Sequence, residues 1–238
     1  MDNFIRQKSV ALLIDPDKSD NSHLPELIKI ATEYRTDFIM IGGSLTFSGT
    51  EKLINSLRSK CSIPIILFPG NLLQLSTNAD IILLLSLISG RNPELLIGNH
   101  VIAAPFLKGV KEKVVSIGYI LVNCGTKTSV EYISHTEAIP SGKTDIAVAT
   151  AMAGEMLGLK MIYLEAGSGA AFPVPLQMIK SVKENISIPL IVGGGIRDRN
   201  KIKDVYNAGA DMIVLGNSCE ENPEILIDAC QVRDTFIK

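Results

Sequence analysis

An α/β chain of the (β/α)8 TIM-barrel class, with its third crossover helix shortened or missing, is what the sequence predicts, and three observations predict it. Apolar runs rich in β-branched residues recur eight times along the 238 residues. Amphipathic stretches at helical spacing separate most of them. The last three runs each stop abruptly in small residues, as strands do where a barrel mouth grips phosphate.

The strand-like runs are Val10 to Ile14, Phe38 to Ile41, Pro64 to Phe68, Asp80 to Leu85, Tyr119 to Val122, Met161 to Leu164, Pro189 to Val192 and Met212 to Leu215. They are apolar throughout rather than alternating, which indicates strands covered on both faces, as in a parallel sheet wrapped by helices. Helical spacing places helices over Leu24 to Tyr34, Thr50 to Lys60, Pro93 to Leu107, Asp145 to Leu157, Pro175 to Asn185, Asn200 to Ala208 and Pro223 to Thr235. The irregular crossover is Pro69 to Asn78, with room for one short helical turn. No Gly-x-Gly-x-x-Gly follows the first strand, which argues against a dinucleotide-binding sheet. No linker-like segment interrupts the pattern, so residues 1–238 read as one domain.

Hydrophobic residues make up 46% of the chain and charged residues 20%, enough for a large core, and the absence of Trp leaves aliphatic side chains to fill it. The net charge of −2, from 23 basic and 25 acidic residues in no single-sign blocks, gives no footprint for nucleic acid. A phosphorylated ligand would have to be held by local amides, a few cations or a metal. Cys61, Cys124, Cys219 and Cys230 show neither Cys-x-x-Cys nor zinc-site spacing and read as reduced thiols. No signal-peptide pattern opens the chain, and Ile81 to Ile88 falls well short of the roughly 20 residues of a spanning helix. The expectation is a cytoplasmic protein without a transmembrane segment.

A barrel places its chemistry at the C-terminal ends of strands, so the informative residues follow each apolar run. The first run ends in IDPDK, where Asp15 is the leading carboxylate. It suits a Mg2+ that keeps most of its waters and bridges to substrate phosphates, or else forms a turn with Asp17 around Pro16. The second ends in IGGS, where Ser44 offers a hydroxyl to the same metal or phosphate, although such a sequence is more often a tight turn. The sixth ends in YLEAGSGA. Glu165 there stands among apolar and small residues, placed to act as a base or acceptor toward a substrate hydroxyl, with Tyr163 beside it and the Gly167, Ser168 and Gly169 amides reaching a phosphate. VGGGIR and LGNS at the seventh and eighth ends predict a phosphoryl ligand but no particular reaction, and Arg197 receives no catalytic role. In SLISGRNPELLIGNH, Asn92 and Pro93 suit a helix start and His100 reads as a surface or packing histidine rather than a ligand. Arg91 could meet a diphosphate and Lys127 is a second cation near the mouth, both with roles left open.

With IDPDK, IGGS, YLEAGSGA, GGGIR and GNS in order at strand ends one, two, six, seven and eight, the chain resembles geranylgeranylglyceryl phosphate synthases and related bacterial prenylglyceryl phosphate synthases. The resemblance spans nearly the full length, and the Pro69 to Asn78 gap matches the branch with a shortened third helix. It implies transfer of a polyprenyl group, geranylgeranyl foremost, from its diphosphate to the C3 hydroxyl of sn-glycerol 1-phosphate, forming an ether. By the same resemblance Asp15 and Ser44 bind Mg2+, Glu165 accepts the hydroxyl proton with Tyr163 alongside, and Tyr163, Leu164, Glu165, Ala166, Gly167, Ser168, Gly169, Gly194, Gly195, Gly216 and Asn217 hold glycerol phosphate. It further implies a homo-oligomer, dimer or hexamer, and transient contact with a membrane surface for a lipid product. Two positions depart from the family. Leu13 stands where one branch has Lys two residues before the metal-binding Asp, and Glu94, Leu95 and Leu96 stand where some archaeal members close the prenyl groove with Trp. The alternative is another phosphate-binding barrel, an isomerase or lyase, which would need a second acid or base at the mouth.

Overall fold

Eight parallel strands close into a barrel: β1 (Ser9–Ile14), β2 (Phe38–Ile41), β3 (Ile65–Leu67), β4 (Ile81–Leu87), β5 (Val114–Asn123), β6 (Met161–Glu165), β7 (Leu190–Gly193) and β8 (Met212–Leu215). The structure, a computed structural model, describes residues 4–5, 7–18, 23–43, 46, 49–125 and 127–237. The barrel shuts where β8 returns to β1, with Val10 opposite Ile213. All eight expected strands are present. The fifth begins at Val114 rather than Tyr119, because Ser116 and Gly118 break the apolar run that would have revealed its first half. Gly118 gives the neighbouring side chains room, since a Cβ would lie 2.7 Å from Ile88 Cδ1 and 2.9 Å from Ile162 Cδ1 and both would have to shift. A two-residue strand, Ile139–Pro140, pairs with the end of β5 outside the barrel.

Strand residues sort into two layers by parity, as the pleat requires. Leu12, Ile39, Ile41, Ile120, Ile162, Leu164, Val192 and Ile213 face outward and form the larger core under the helices. Ala11, Met40, Ile66, Leu83, Ile117, Tyr119, Met161, Tyr163, Ile191 and Met212 fill the barrel interior. That inner layer fills the bore, and a cleft opens above it, at the strands' C-terminal ends.

The covering helices are α1 (Leu24–Glu33), α2 (Thr50–Arg58), α3 (Asn99–Leu107), α4 (Ser129–Ser134), α5 (Thr144–Met156), α6 (Leu176–Asn185), α7 (Arg199–Asn207), α8 (Asn217–Glu221) and α9 (Glu224–Asp234). Between β3 and β4 there is a single 3-10 turn, Leu72–Gln74, and no α-helix, as the short crossover predicts. The Pro93 to Leu107 stretch divides into a π-helical segment, Glu94–Gly98, followed by α3. The short helices α4 and α8 were not anticipated, because neither is long enough to show a period. Among the described residues no helix is long and apolar enough to cross a membrane.

Candidate active site

A cleft of about 540 Å³ opens at the C-terminal ends of the strands and is polar at one end and apolar at the other. Glu165, the last residue of β6, lies at the junction. It is 7% exposed, and its Oε1 accepts a hydrogen bond of 2.7 Å from the Gly167 N–H. Burial pushes its carboxyl above the ordinary carboxylate value, while the neighbouring Tyr163 hydroxyl and the Gly167 amide draw it part of the way back. A buried carboxyl with raised affinity for a proton, facing a cleft, is the chemistry of a general base.

The glycines of the β7 loop make room for that carboxylate. A Cβ on Gly193 would lie 2.3 Å from the Tyr163 hydroxyl and 2.8 Å from Glu165 Oε2. A Cβ on Gly194 would lie 2.5 Å from Glu165 Oε1, in a backbone with φ +81°. The Tyr163 hydroxyl is buried without a hydrogen bond of normal geometry. Burial, and next the Glu165 charge, raise its pKa well above that of a free phenol, so Tyr163 stays protonated and serves as a donor or an orienting wall. Its ring packs against Tyr119 and Phe68, with centroids 5.3 and 5.5 Å away, and the three rings form the cleft floor.

The polar end is built by three loops. Gly167, Ser168 and Gly169 follow β6, Gly194 and Gly195 follow β7, and Gly216 and Asn217 follow β8, and all of them line the cleft. Asn217 Nδ2 donates to Ser168 Oγ at 3.0 Å and ties the first and third loops together. Leu164 and Ala166, expected among the binding residues, instead send their side chains into the helix-facing layer and do not line the cleft. Strand parity explains this, because both neighbour Glu165 and so point the opposite way.

Asp15 lines the cleft beside Leu13 and Gly43, and its Oδ1 also accepts from the Asp17 N–H at 3.0 Å. Asp15 therefore makes the turn and also stands at the cleft mouth. Ser44, its expected partner in a metal site, lies outside the described residues. Among the described residues no three His, Cys, Asp or Glu side chains gather to hold a metal. A carboxylate–hydroxyl oxygen set completed by water and phosphate is how Mg2+ is usually held, so Asp15 fits such an ion as one donor of a partly hydrated site.

Two expected cations are elsewhere. Arg91 donates to the Ile88 and Gly90 carbonyls at 2.9 and 2.8 Å, and Lys127 lines a separate depression on α4. Neither lines the cleft. The apolar end went unrecognised in the sequence. Phe68, Leu72, Leu75, Leu84, Leu85 and Leu95 form a groove along the flank where the third crossover helix would otherwise lie. At its far side His100 Nε2 shares a hydrogen bond of 3.0 Å with Ser86 Oγ, and burial lowers the His100 pKa, consistent with a packing histidine.

The sequence profile of the PcrB family matches residues 2–233. The chain belongs to the PcrB family. Among its relatives, a geranylgeranylglyceryl phosphate synthase of Spirosoma linguale is 48% identical over 92% of this chain and 89% of its own length. Another, of Korarchaeum cryptofilum, is 36% identical over 95% and 93%. A crystal structure of (S)-3-O-geranylgeranylglyceryl phosphate synthase from Thermoplasma acidophilum, in complex with its substrate sn-glycerol-1-phosphate, superposes with a TM-score of 0.86 at 32% identity, covering 97% of this chain and 94% of that one. Likeness to these relatives thus runs the length of the barrel.

Proposed function

We propose that this protein transfers a polyprenyl group, geranylgeranyl foremost, from its diphosphate to the C3 hydroxyl of sn-glycerol 1-phosphate, releasing diphosphate and forming an ether-linked prenylglyceryl phosphate. The observation that carries this reading is the division of one cleft. Glycine loops suited to a phosphate lie at one end, an aliphatic groove at the other, and Glu165 stands between them. The geranylgeranylglyceryl phosphate synthases among its relatives and the glycerol phosphate held by the Thermoplasma enzyme support the same assignment.

In this reading the loops after β6, β7 and β8 bind the phosphate of the acceptor and turn its C3 hydroxyl toward Glu165. Glu165 takes the hydroxyl proton as the oxygen forms its bond to C1 of the donor and the bond from C1 to the diphosphate oxygen breaks. Positive charge grows on the allylic carbon above Phe68, Tyr119 and Tyr163, whose ring faces are electron-rich and favour a cation. Tyr163 keeps its proton and holds the carboxylate in line. The aliphatic groove seats the chain and keeps water from competing with the acceptor hydroxyl. Among the described residues Asp15, Glu165 and Glu220 line the cleft against a single Arg, so two phosphorylated substrates require added positive charge. Bound Mg2+, held by Asp15 with Ser44, would supply it and neutralise the departing diphosphate.

Purified protein incubated with radiolabelled sn-glycerol 1-phosphate, Mg2+ and prenyl diphosphates of several lengths tests the reading. Label should move into the organic phase only when donor and metal are both present. Absence of transfer from every donor, in protein that still binds glycerol phosphate, would sink it.

A further inference from the structure

The polar end of the cleft must hold a phosphate, and its usual sources of positive charge are already committed. The N-terminus of α7, next to the Gly194–Gly195 loop, is capped by a side chain of its own: Asp198 accepts from the Lys201 N–H at 2.9 Å. The Lys201 ammonium also pairs with Asp198, at 3.5 Å. A carboxylate capping that helix end disfavours a second anion there. The helix α8 has only five residues and carries Glu220 and Glu221. What remains at this end is the set of loop amides and Arg197, the one Lys or Arg that lines the cleft among the described residues.

Arg197 is held loosely. Its Nη2 donates to the Ala170 carbonyl at 3.4 Å, the limit of a hydrogen bond, and its Nη1 stands 3.9 Å from Glu221 Oε2. Both ends of that ion pair are solvent-accessible, at 45% and 66%, where such pairs are weak. A guanidinium carries five N–H donors in a fork that matches two phosphate oxygens, and this one uses few of them.

The geometry points to Arg197 as a binding residue for the acceptor's phosphate, handed over from Glu221 when the ligand arrives. Arg197 follows the β7 loop and its guanidinium reaches the Ala170 carbonyl of the β6 loop, lining the same cleft as Gly194 and Gly195. Glu221 keeps the guanidinium at the rim until a better anion displaces it. This assignment rests on the phosphate-binding half of the function proposed above, and on nothing about the prenyl donor.

Calorimetric titration of the purified full chain with inorganic phosphate, and separately with sn-glycerol 1-phosphate, tests it. Arg197→Met should weaken both by about 30-fold, as expected for loss of charge-assisted hydrogen bonds. Arg197→Lys should recover only part of that, since the charge returns without the fork. Glu221→Gln should tighten phosphate binding by about two- to fivefold, since an exposed competitor is removed. In turnover the Arg197→Met defect should fall on KM for the acceptor rather than on kcat, because the reacting hydroxyl lies at the other end of the molecule. Wild-type phosphate affinity in Arg197→Met overturns the assignment. Should that variant fail to fold, wild-type affinity in both Arg197→Lys and Glu221→Gln overturns it equally. Arg197-dependent phosphate binding in a protein that transfers no prenyl group would leave this assignment standing and remove the prenyltransferase reading. Prenyl transfer with an unchanged acceptor KM in Arg197→Met would do the reverse.

Discussion

On the β6–β8 flank of the cleft the main chain comes forward to meet the ligand, whereas on the β3–β4 flank it stands back. Gly167, Gly169, Gly194 and Gly195 all have positive φ, and a Cβ at three of them would strike a neighbour closer than 3 Å. The opposite flank has only a 3-10 turn where a helix belongs, and its wall is made of leucines. One side gains its specificity from close backbone approach and the other from an omitted element. The first tolerates little substitution, whereas the second should respond to substitution in proportion to the apolar area lost.

The largest effect should come from the residue at the boundary. Glu165→Gln preserves shape and can still accept from the Gly167 N–H, so the fold should stand, while turnover falls by about 10²- to 10⁴-fold, the usual worth of a general base. Near-normal turnover would show that Glu165 only orients the acceptor. Because burial raises the Glu165 pKa above 4.5, the active carboxylate appears only as pH rises through that raised value. The acid limb of kcat/KM should therefore lie above pH 4.5 and vanish in Glu165→Gln. The stability sign runs the other way. A raised folded-state pKa favours the fold at low pH, and that advantage is lost as pH climbs through the raised value. Glu165→Gln should flatten this part of the stability profile.

Next in size is a pair that tests the backbone argument directly. Gly194→Ala places a methyl 2.5 Å from Glu165 Oε1 and 2.9 Å from Ala166 Cβ. Displacing the carboxylate by ~1 Å should cost about 100-fold in kcat. Gly169→Ala meets nothing within 4 Å and should cost only the left-handed strain of φ +75°, about 1–2 kcal/mol of stability. Equal kinetic defects in the two would mean that flexibility, not close approach, is what these glycines provide.

On the apolar flank, Leu84→Asn should raise KM for long polyprenyl donors by about ten- to a hundredfold, the worth of one buried leucine. The effect should shrink for short donors, and calorimetric affinity for glycerol phosphate should not change. A matching loss of glycerol phosphate affinity would show that the two flanks are coupled rather than independent.

Much of the first flank was legible in the sequence and little of the second, and the reason is physical. Glu165, Gly167, Gly194 and Asn217 break an apolar period, and a break in a period is visible in one dimension. Tyr163 is legible as their strand neighbour. Leu164 and Ala166 stand beside them in sequence, but the alternation of the strand sends their side chains to the helices. The groove leucines look like ordinary core residues, because what exposes them is the absence of a helix together with packing between segments distant in the chain. The first half of β5 was hidden by Ser116 and Gly118. Arg197 is not legible as a ligand in the sequence, since nothing there reveals that its guanidinium lines the cleft with so few partners.

The smallest effect should come from behind the polar flank, where α4 supports the β6 loop. Thr128 caps α4, accepting from the Glu131 N–H at 3.3 Å while Glu131 Oε2 accepts from the Thr128 N–H at 2.8 Å. Its methyl also occupies the space a Cβ on Gly167 would need, 2.1 Å from that point. Thr128→Ala removes cap and support together and should cost about 1 kcal/mol of stability. Thr128→Ser restores the capping oxygen but not the methyl, so it should regain the stability and keep whatever rise in acceptor KM the alanine variant shows. If serine restores both, the cap alone positions the loop. If it restores only stability, the methyl against Gly167 is what holds the phosphate-binding backbone forward.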